Sequence, residues 1–292
     1  MRIHAYVLAA DPAFIEASVL SYYDIVDRIV VSYDKEFLGW SGKPIEVEQC
    51  LRRLSRIDAE GKLVLSPGSY RSKRTNEDLL ALDTAQRQAA LNEASEGADW
   101  VLQIDTDEVV PDARRLRQSL TEAEADGRQA VYFPQLWLLA RTEHRYLARC
   151  SRWGRLVAAY PGPVAVRAGT TLTLCRQTDV TGYRVDIGAL NTDPWTSRDV
   201  VVDAQISPAA AIHHFAWVRT DEEMAAKERT SGHSRESFWP SMLAFRERAV
   251  AAPLITLATN PLRSREQRFR AIRLPSTMEA LMRLAGPDGE EA

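Results

Sequence analysis

Cysteine is scarce in this chain: Cys50, Cys150 and Cys175 are the only three in 292 residues. An odd number, at spacings that suit no thiolate metal site, excludes a disulfide scaffold and points to reduced thiols in a cytoplasmic compartment. Long hydrophobic runs are missing as well. No stretch reaches the roughly 18 apolar residues that a membrane span requires. The apolar run at residues 3–10 is too short for a signal peptide with its flanks, which leaves only peripheral contact with a membrane open. Nor does one sign of charge dominate. A net charge of -3 provides no basic field for nucleic acid, so phosphate binding must be local. Internal repeats, low-complexity segments and a glycine-rich phosphate loop near the N-terminus are also absent. What remains is an ordinary globular composition, 45% hydrophobic and 26% charged, long enough to bury a substantial core.

The first hundred residues alternate two periodicities. Residues 3–10, 28–33 and 62–65 read as buried strands. The helix after Asp11-Pro12 has an apolar face of Phe14, Ala17, Val19, Leu20 and Tyr23, with proline at the first helical position. Val47, Leu51, Leu54 and Ile57 mark a second helix, which Gly61 stops. A third, at about 77–96, has Leu79, Leu82, Ala85 and Ala89 on one side and ends at Gly97. A fourth strand, Trp100-Val101-Leu102-Gln103-Ile104, then runs into Asp105-Thr106-Asp107-Glu108. Strands separated by helices predict a parallel sheet with right-handed crossovers. Ligands of such sheets gather beyond the carboxyl ends of the strands. Asp11, Asp34, the Arg71-Lys73-Arg74 cluster and Asp105 all fall there, so an acidic and basic pocket is expected at one sheet edge.

Side chains two apart on a strand share a face, so Asp105 and Asp107 are expected to point together and Thr106 away. Two carboxylates on one face repel, and burying them requires a cation. A divalent metal answers that need; the simpler alternative is an acidic turn suited to a following helix dipole. Beyond Pro111 the pattern changes. A helix through Leu116 and Leu120 precedes expected strands at 130–139, 146–150, 164–167, 172–175 and 209–219. Thr220 and Glu223 then form a capping box, and Met278, Leu281, Met282 and Leu284 give the tail a helical period. The expected fold is therefore α/β, a mixed sheet with flanking helices, with residues 1–218 as the core domain and 219–292 as a helical C-terminal extension.

The run Asp99-Trp100-Val101-Leu102-Gln103-Ile104-Asp105-Thr106-Asp107-Glu108, reached through strand, helix, strand and helix, resembles the nucleotide-sugar glycosyltransferases of the GT-A (Rossmann-like) fold, nearest to family 2-like members. The resemblance implies a metal-dependent transfer of a sugar from a nucleoside diphosphate sugar to an acceptor hydroxyl, with Mn2+ or Mg2+ as cofactor. It assigns Ala9, Asp11 and Asp34 to the base and ribose, and Arg87 and Asp105 to the nucleotide. Asp107 and a late histidine go to the metal. Of His213 and His214, neighbours facing opposite ways, His214 is favoured. Lys227 is assigned to the leaving diphosphate, with Arg71 and His233 as further donor-binding candidates, and Asp186 and Asp193 as candidates for the catalytic base. Two other readings of Asp-x-Asp stay open at this point: a haloacid dehalogenase-like phosphatase, whose nucleophile loop normally follows the first strand, and a non-catalytic nucleotide-sugar-binding protein.

Overall fold

The computed structural model describes residues 1–71, 78–142, 145–230 and 239–284. Its first third is a regular alternation: β1 (Ile3–Leu8), α1 (Ile15–Tyr22), β2 (Arg28–Asp34), α2 (Val47–Ile57), β3 (Leu63–Gly68), α3 (Leu79–Ala94) and β4 (Trp100–Gln103). β1 pairs in parallel with both β2 and β4, and β2 with β3. Burial on both faces explains the continuous apolar runs: Trp100, Val101 and Leu102 are all fully buried. Because β2 and β3 lie on one side of β1 and β4 on the other, chain direction across the sheet reverses at the β1/β4 boundary, where such sheets open a crevice.

The middle of the chain supplies β5 (Glu108–Val109), α4 (Ala113–Ala125), β6 (Ala130–Tyr132), β7 (Gln135–Arg141), β8 (Tyr146–Arg149), β9 (Ala165–Arg167), β10 (Gly182–Asp186), β11 (Ala204–Gln205) and β12 (Ile212–His214). The last part supplies α5 (Asp221–Thr230), α6 (Trp239–Ala251), α7 (Pro253–Ala258), β13 (Phe269–Ile272) and α8 (Ser276–Leu284). The described residues form an eight-stranded sheet, ordered β11-β10-β6-β9-β4-β1-β2-β3, and a five-stranded sheet, ordered β13-β8-β7-β12-β5. In the larger sheet β9 runs antiparallel to both its neighbours, β4 and β6. The result is the mixed, Rossmann-like α/β sheet with flanking helices that the sequence predicts.

Several elements differ from expectation, each for a local reason. Asp11 does not cap α1. Its side chain accepts from the Ala13 amide in a turn of its own, and the helix begins at Ile15. The run 130–139 is two strands, since the chain leaves one sheet for the other at Phe133-Pro134, where proline offers no amide to a ladder. Residues 172–175 form no strand: Leu174 bridges Gln177 around Cys175, whose φ of 51° makes a tight turn. The stretch 209–219 keeps only the three residues of β12. Among the described residues beyond 218, the helices are joined by β13, which pairs with β8 and ties this part of the chain to the smaller sheet. α3 buries Asp83, Gln86, Arg87, Ala90 and Leu91, whereas Ala85 and Ala89 of the predicted apolar face are exposed. No helix among the described residues is long and apolar enough to cross a membrane.

β4 is the keel of the larger sheet, so truncating it is costly. Leu102→Ala, at a fully buried site, is expected to lower unfolding free energy by about 2–5 kcal/mol, read from urea denaturation. A loss below about 1 kcal/mol would contradict the central, close-packed position of this strand.

Candidate functional site

A cavity of about 460 Å³ opens at the carboxyl ends of β1, β2 and β4. Ala9 and Asp11 line it from the loop after β1, Asp34 from the end of β2, and Asp105, Thr106 and Asp107 from the loop after β4. Strand alternation does not present the two aspartates. β4 ends at Gln103, and residues 105–108 turn back on themselves, the Glu108 amide donating to the Asp105 carbonyl at 3.0 Å. Thr106, expected to point away, therefore lines the cavity as well. The turn is fastened from α1 by Ser18 Oγ, which donates to the same carbonyl at 3.0 Å.

Each aspartate is matched with its own cations. Asp105 Oδ1 accepts from Arg87 Nη1 at 2.8 Å, and Arg87 Nε donates to Asp83 one helical turn back at 2.7 Å. Arg176 Nη1 lies 3.8 Å from Asp105 Oδ2 and forks onto Glu108, at 2.8 and 2.5 Å. Burial alone raises the Asp105 carboxyl, but Arg87 and Arg176 outweigh it and hold the group at about 2. Asp107 Oδ2 accepts from Lys227 Nζ at 2.6 Å and from Arg219 Nη2 at 2.9 Å, while His214 Nε2 stands 3.3 Å from Oδ1. Here too burial works against ionisation, and Lys227, His214 and Arg219 together keep the carboxyl well below the usual range. Arg219 also reaches Asp11, Nη1 to Oδ2 at 2.9 Å, which joins the first loop to the fourth.

The two histidines separate as strand neighbours do. His214 lines the cavity with Trp137, their rings edge to face at 5.6 Å. His213 is buried, its Nδ1 2.9 Å from the Ala211 carbonyl, and burial pushes it down to about 4. Register fixes this choice, because β12 pairs antiparallel with β5, placing His214 opposite Glu108 and His213 opposite Val109.

Other expected residues fall elsewhere. Asp34 lines the cavity, yet both its oxygens already accept backbone amides, from Glu36 and Tyr70 at 2.9 Å each, so it shapes the wall. Arg71 pairs with Glu36 and does not line the cavity. Lys73, Arg74 and His233 lie outside the described residues. Asp186 and Asp193 are not brought to the cavity. Asp186 accepts from Thr192 Oγ1 and the Gly188 and Thr192 amides in the loop after β10, and Asp193 accepts from the Trp195 amide and faces Arg184 at 3.8 Å. A base acting in this cavity therefore has to be sought among other groups.

Sequence reasoning missed Arg176, Asp83, Gln86 and Trp40, and gave Arg219 no role. Trp40 Nε1 donates to Gln86 Oε1 at 2.8 Å, closing the wall between the loop after β2 and α3. Only the i, i+4 spacing of Asp83 and Arg87 announced itself. Arg176 follows the turn at Cys175 and carries no motif.

No family profile matches the sequence, and no curated protein matches it. Among solved structures the chain is similar to 4-diphosphocytidyl-2C-methyl-D-erythritol synthase from Anaerococcus prevotii, at 12% identity and a TM-score of 0.31 over 57% of this chain and 70% of that one. It is similar to mannose-6-phosphate isomerase from Helicobacter pylori at 15% identity and 0.30, over 50% and 55%. A third is mannose-1-phosphate geranyltransferase from Thermus thermophilus, at 14% and 0.28, over 86% and 65%. Likeness of this degree does not bear on activity.

The paired carboxylates set an acid limit. Asp105, near 2 when folded against about 3.9 unfolded, contributes stability that is complete above roughly pH 5 and is lost as pH falls towards 2. In Asp105→Asn the denaturation midpoint is expected to change less than in the wild type over that interval. Parallel pH profiles for the two proteins would contradict the pairing with Arg87 and Arg176.

Proposed function

We propose that this chain transfers a sugar from a nucleoside diphosphate sugar to an acceptor hydroxyl, with the donor bound in the cavity at the ends of β1, β2 and β4. The observation that carries the reading is the placement of Asp105-Thr106-Asp107 at the crevice beside β1, with Asp107 facing His214, Lys227 and Arg219. The cavity has room for a compact bound group and offers both signs of charge along one edge.

The donor set suits a divalent ion. Asp107 Oδ1 and His214 Nε2 converge, and His214 Nδ1, which has no hydrogen-bond partner among the described residues, lies 3.8 Å from Glu108 Oε1. A carboxylate behind a ligating imidazole is the usual way to fix its orientation. Among the described residues no group of three or more acidic, histidine or cysteine side chains is arranged to hold a metal ion by itself, so Asp107 and His214 would hold a Mn2+ or Mg2+ only together with ligands from diphosphate and water, as is common for Mg2+. Such an ion, when bound, would supply Lewis-acid stabilisation of the leaving diphosphate. Lys227 and Arg219 add fixed positive charge at the same edge, where negative charge develops as the sugar departs. Arg87 holds Asp105 in place through the helix it shares with Asp83, which keeps the nucleotide side of the cavity rigid.

The phosphatase reading needs Asp105 as a nucleophile. Its oxygens instead face Arg87 and Arg176, and its strand is fourth in the chain, which favours sugar transfer over it. Asp107→Asn is expected to lower release of nucleoside diphosphate from UDP-glucose, GDP-mannose or a dTDP sugar, assayed with manganese, by on the order of 100-fold, and to abolish the manganese-dependent rise in melting temperature with UDP or GDP. Unchanged release and an unchanged melt in the variant would sink the proposal, and stabilisation by a free sugar phosphate alone would turn it towards the phosphatase.

A further inference from the structure

Trp137 stands between the cavity and a second, unassigned group. On one side its ring meets His214; its face carries Arg149, the guanidinium carbon 4.8 Å from the ring centroid. Trp195 approaches the same guanidinium at 4.5 Å, and Phe269 at 6.0 Å. Arg149 ends β8 and is only 7% exposed.

Among the described residues the other buried arginines all have a carboxylate close by. Arg87, Arg176, Arg219 and Arg246 each have one within 3.0 Å, and Arg184 has one at 3.8 Å. Arg149 has none. Among the described residues no hydrogen bond or ion pair reaches its side chain, and its Nε is buried without a partner. Trp137 Nε1 is buried without a partner among them too. A buried charge is ordinarily paired, and buried donors are ordinarily satisfied, so Arg149 and Trp137, beside the cavity, lack acceptors that something else has to provide. Burial pushes the Arg149 guanidinium down to about 10, with Glu266 and Asp193 partly opposing, and at neutral pH it keeps its charge.

We infer that Arg149, set between Trp137 and Trp195, holds an anionic group of the acceptor, a carboxylate or a phosphate carried on a sugar. A planar guanidinium grips either group with two parallel hydrogen bonds. Trp195, 44% exposed, offers the ring surface by which the rest of the sugar is approached. The term acceptor rests on the glycosyl-transfer reading above; the anion site itself does not.

The test titrates glucuronate, glucose 6-phosphate and glucose into the full chain, followed by tryptophan fluorescence and calorimetry, beside UDP and GDP titrations of the same samples. At least one of the two anionic sugars is expected to bind about tenfold or more tighter than glucose. Arg149→Met should erase that preference while leaving nucleotide affinity unchanged, and Arg149→Lys should recover part of it. Preference for glucuronate alone identifies a carboxylate acceptor, for glucose 6-phosphate alone a phosphorylated one. Binding no tighter than glucose, or a preference that survives in Arg149→Met, overturns the inference. Should Arg149→Met give no cooperative melt, Trp195→Ala decides in its place: loss of the preference supports the site and its full retention overturns it. A wild type that discriminates anionic sugars but binds neither UDP nor GDP would defeat the sugar-transfer reading and leave this site standing.

Discussion

The molecule depends on neutralising two carboxylates at the tip of a fully buried strand. Asp105 and Asp107 sit where an unpaired charge would be costly, and the compensation comes from four cations on separate segments: Arg87 on α3, Arg176 after the Cys175 turn, Arg219 after β12 and Lys227 on α5. Each cation pulls its own segment towards the carboxyl ends of the parallel strands. The cavity exists because those segments meet there, and the same ion pairs that fold the loops give the cavity its chemistry.

The parallel half of the fold was legible in the residues themselves. Strands buried on both faces need uninterrupted apolar runs, and residues 3–8, 28–34 and 100–103 announce themselves that way. The later strands are two to seven residues long, and short apolar runs of this kind do not distinguish a strand from a turn. Hence 172–175 was expected as a strand, and β10 and β13 were not expected. α3 is the instructive case. Its leucine and alanine spacing marks one side, yet the side that faces inward carries Asp83, Gln86 and Arg87, because the helix borders the cavity, where ion pairs satisfy Asp83 and Arg87 and the Trp40 indole donates to Gln86. Periodicity reports hydrophobic burial and is silent about burial by pairing.

For the site, the Asp-x-Asp motif and its position after a buried strand located the cavity, and adjacent histidines on a strand left one choice that only register could make. The strand expected there, 209–219, was too long, but its centre was right, and pairing of β12 with β5 sets His214 opposite Glu108. The cations were less visible. Arg176 and Arg219 act from turns, where neighbours in space share no spacing in sequence, and no local pattern separates them from solvated surface arginines. Asp186 was a candidate base, but its carboxylate is spent on holding the next loop closed.

The ion pairs on Asp107 close loops of more than a hundred residues, with Arg219 and Lys227 lying 112 and 120 positions downstream. Contacts so distant in sequence form late, since the entropy of bringing the ends together is spent before the attraction is felt. On the ribosome the parallel strands emerge first with Arg87, the upstream partner of Asp105, whereas Asp107 waits for its cations until Arg219 and Lys227 have cleared the exit tunnel. A nascent chain of this protein therefore passes through an interval in which its sheet is built and its pocket is not.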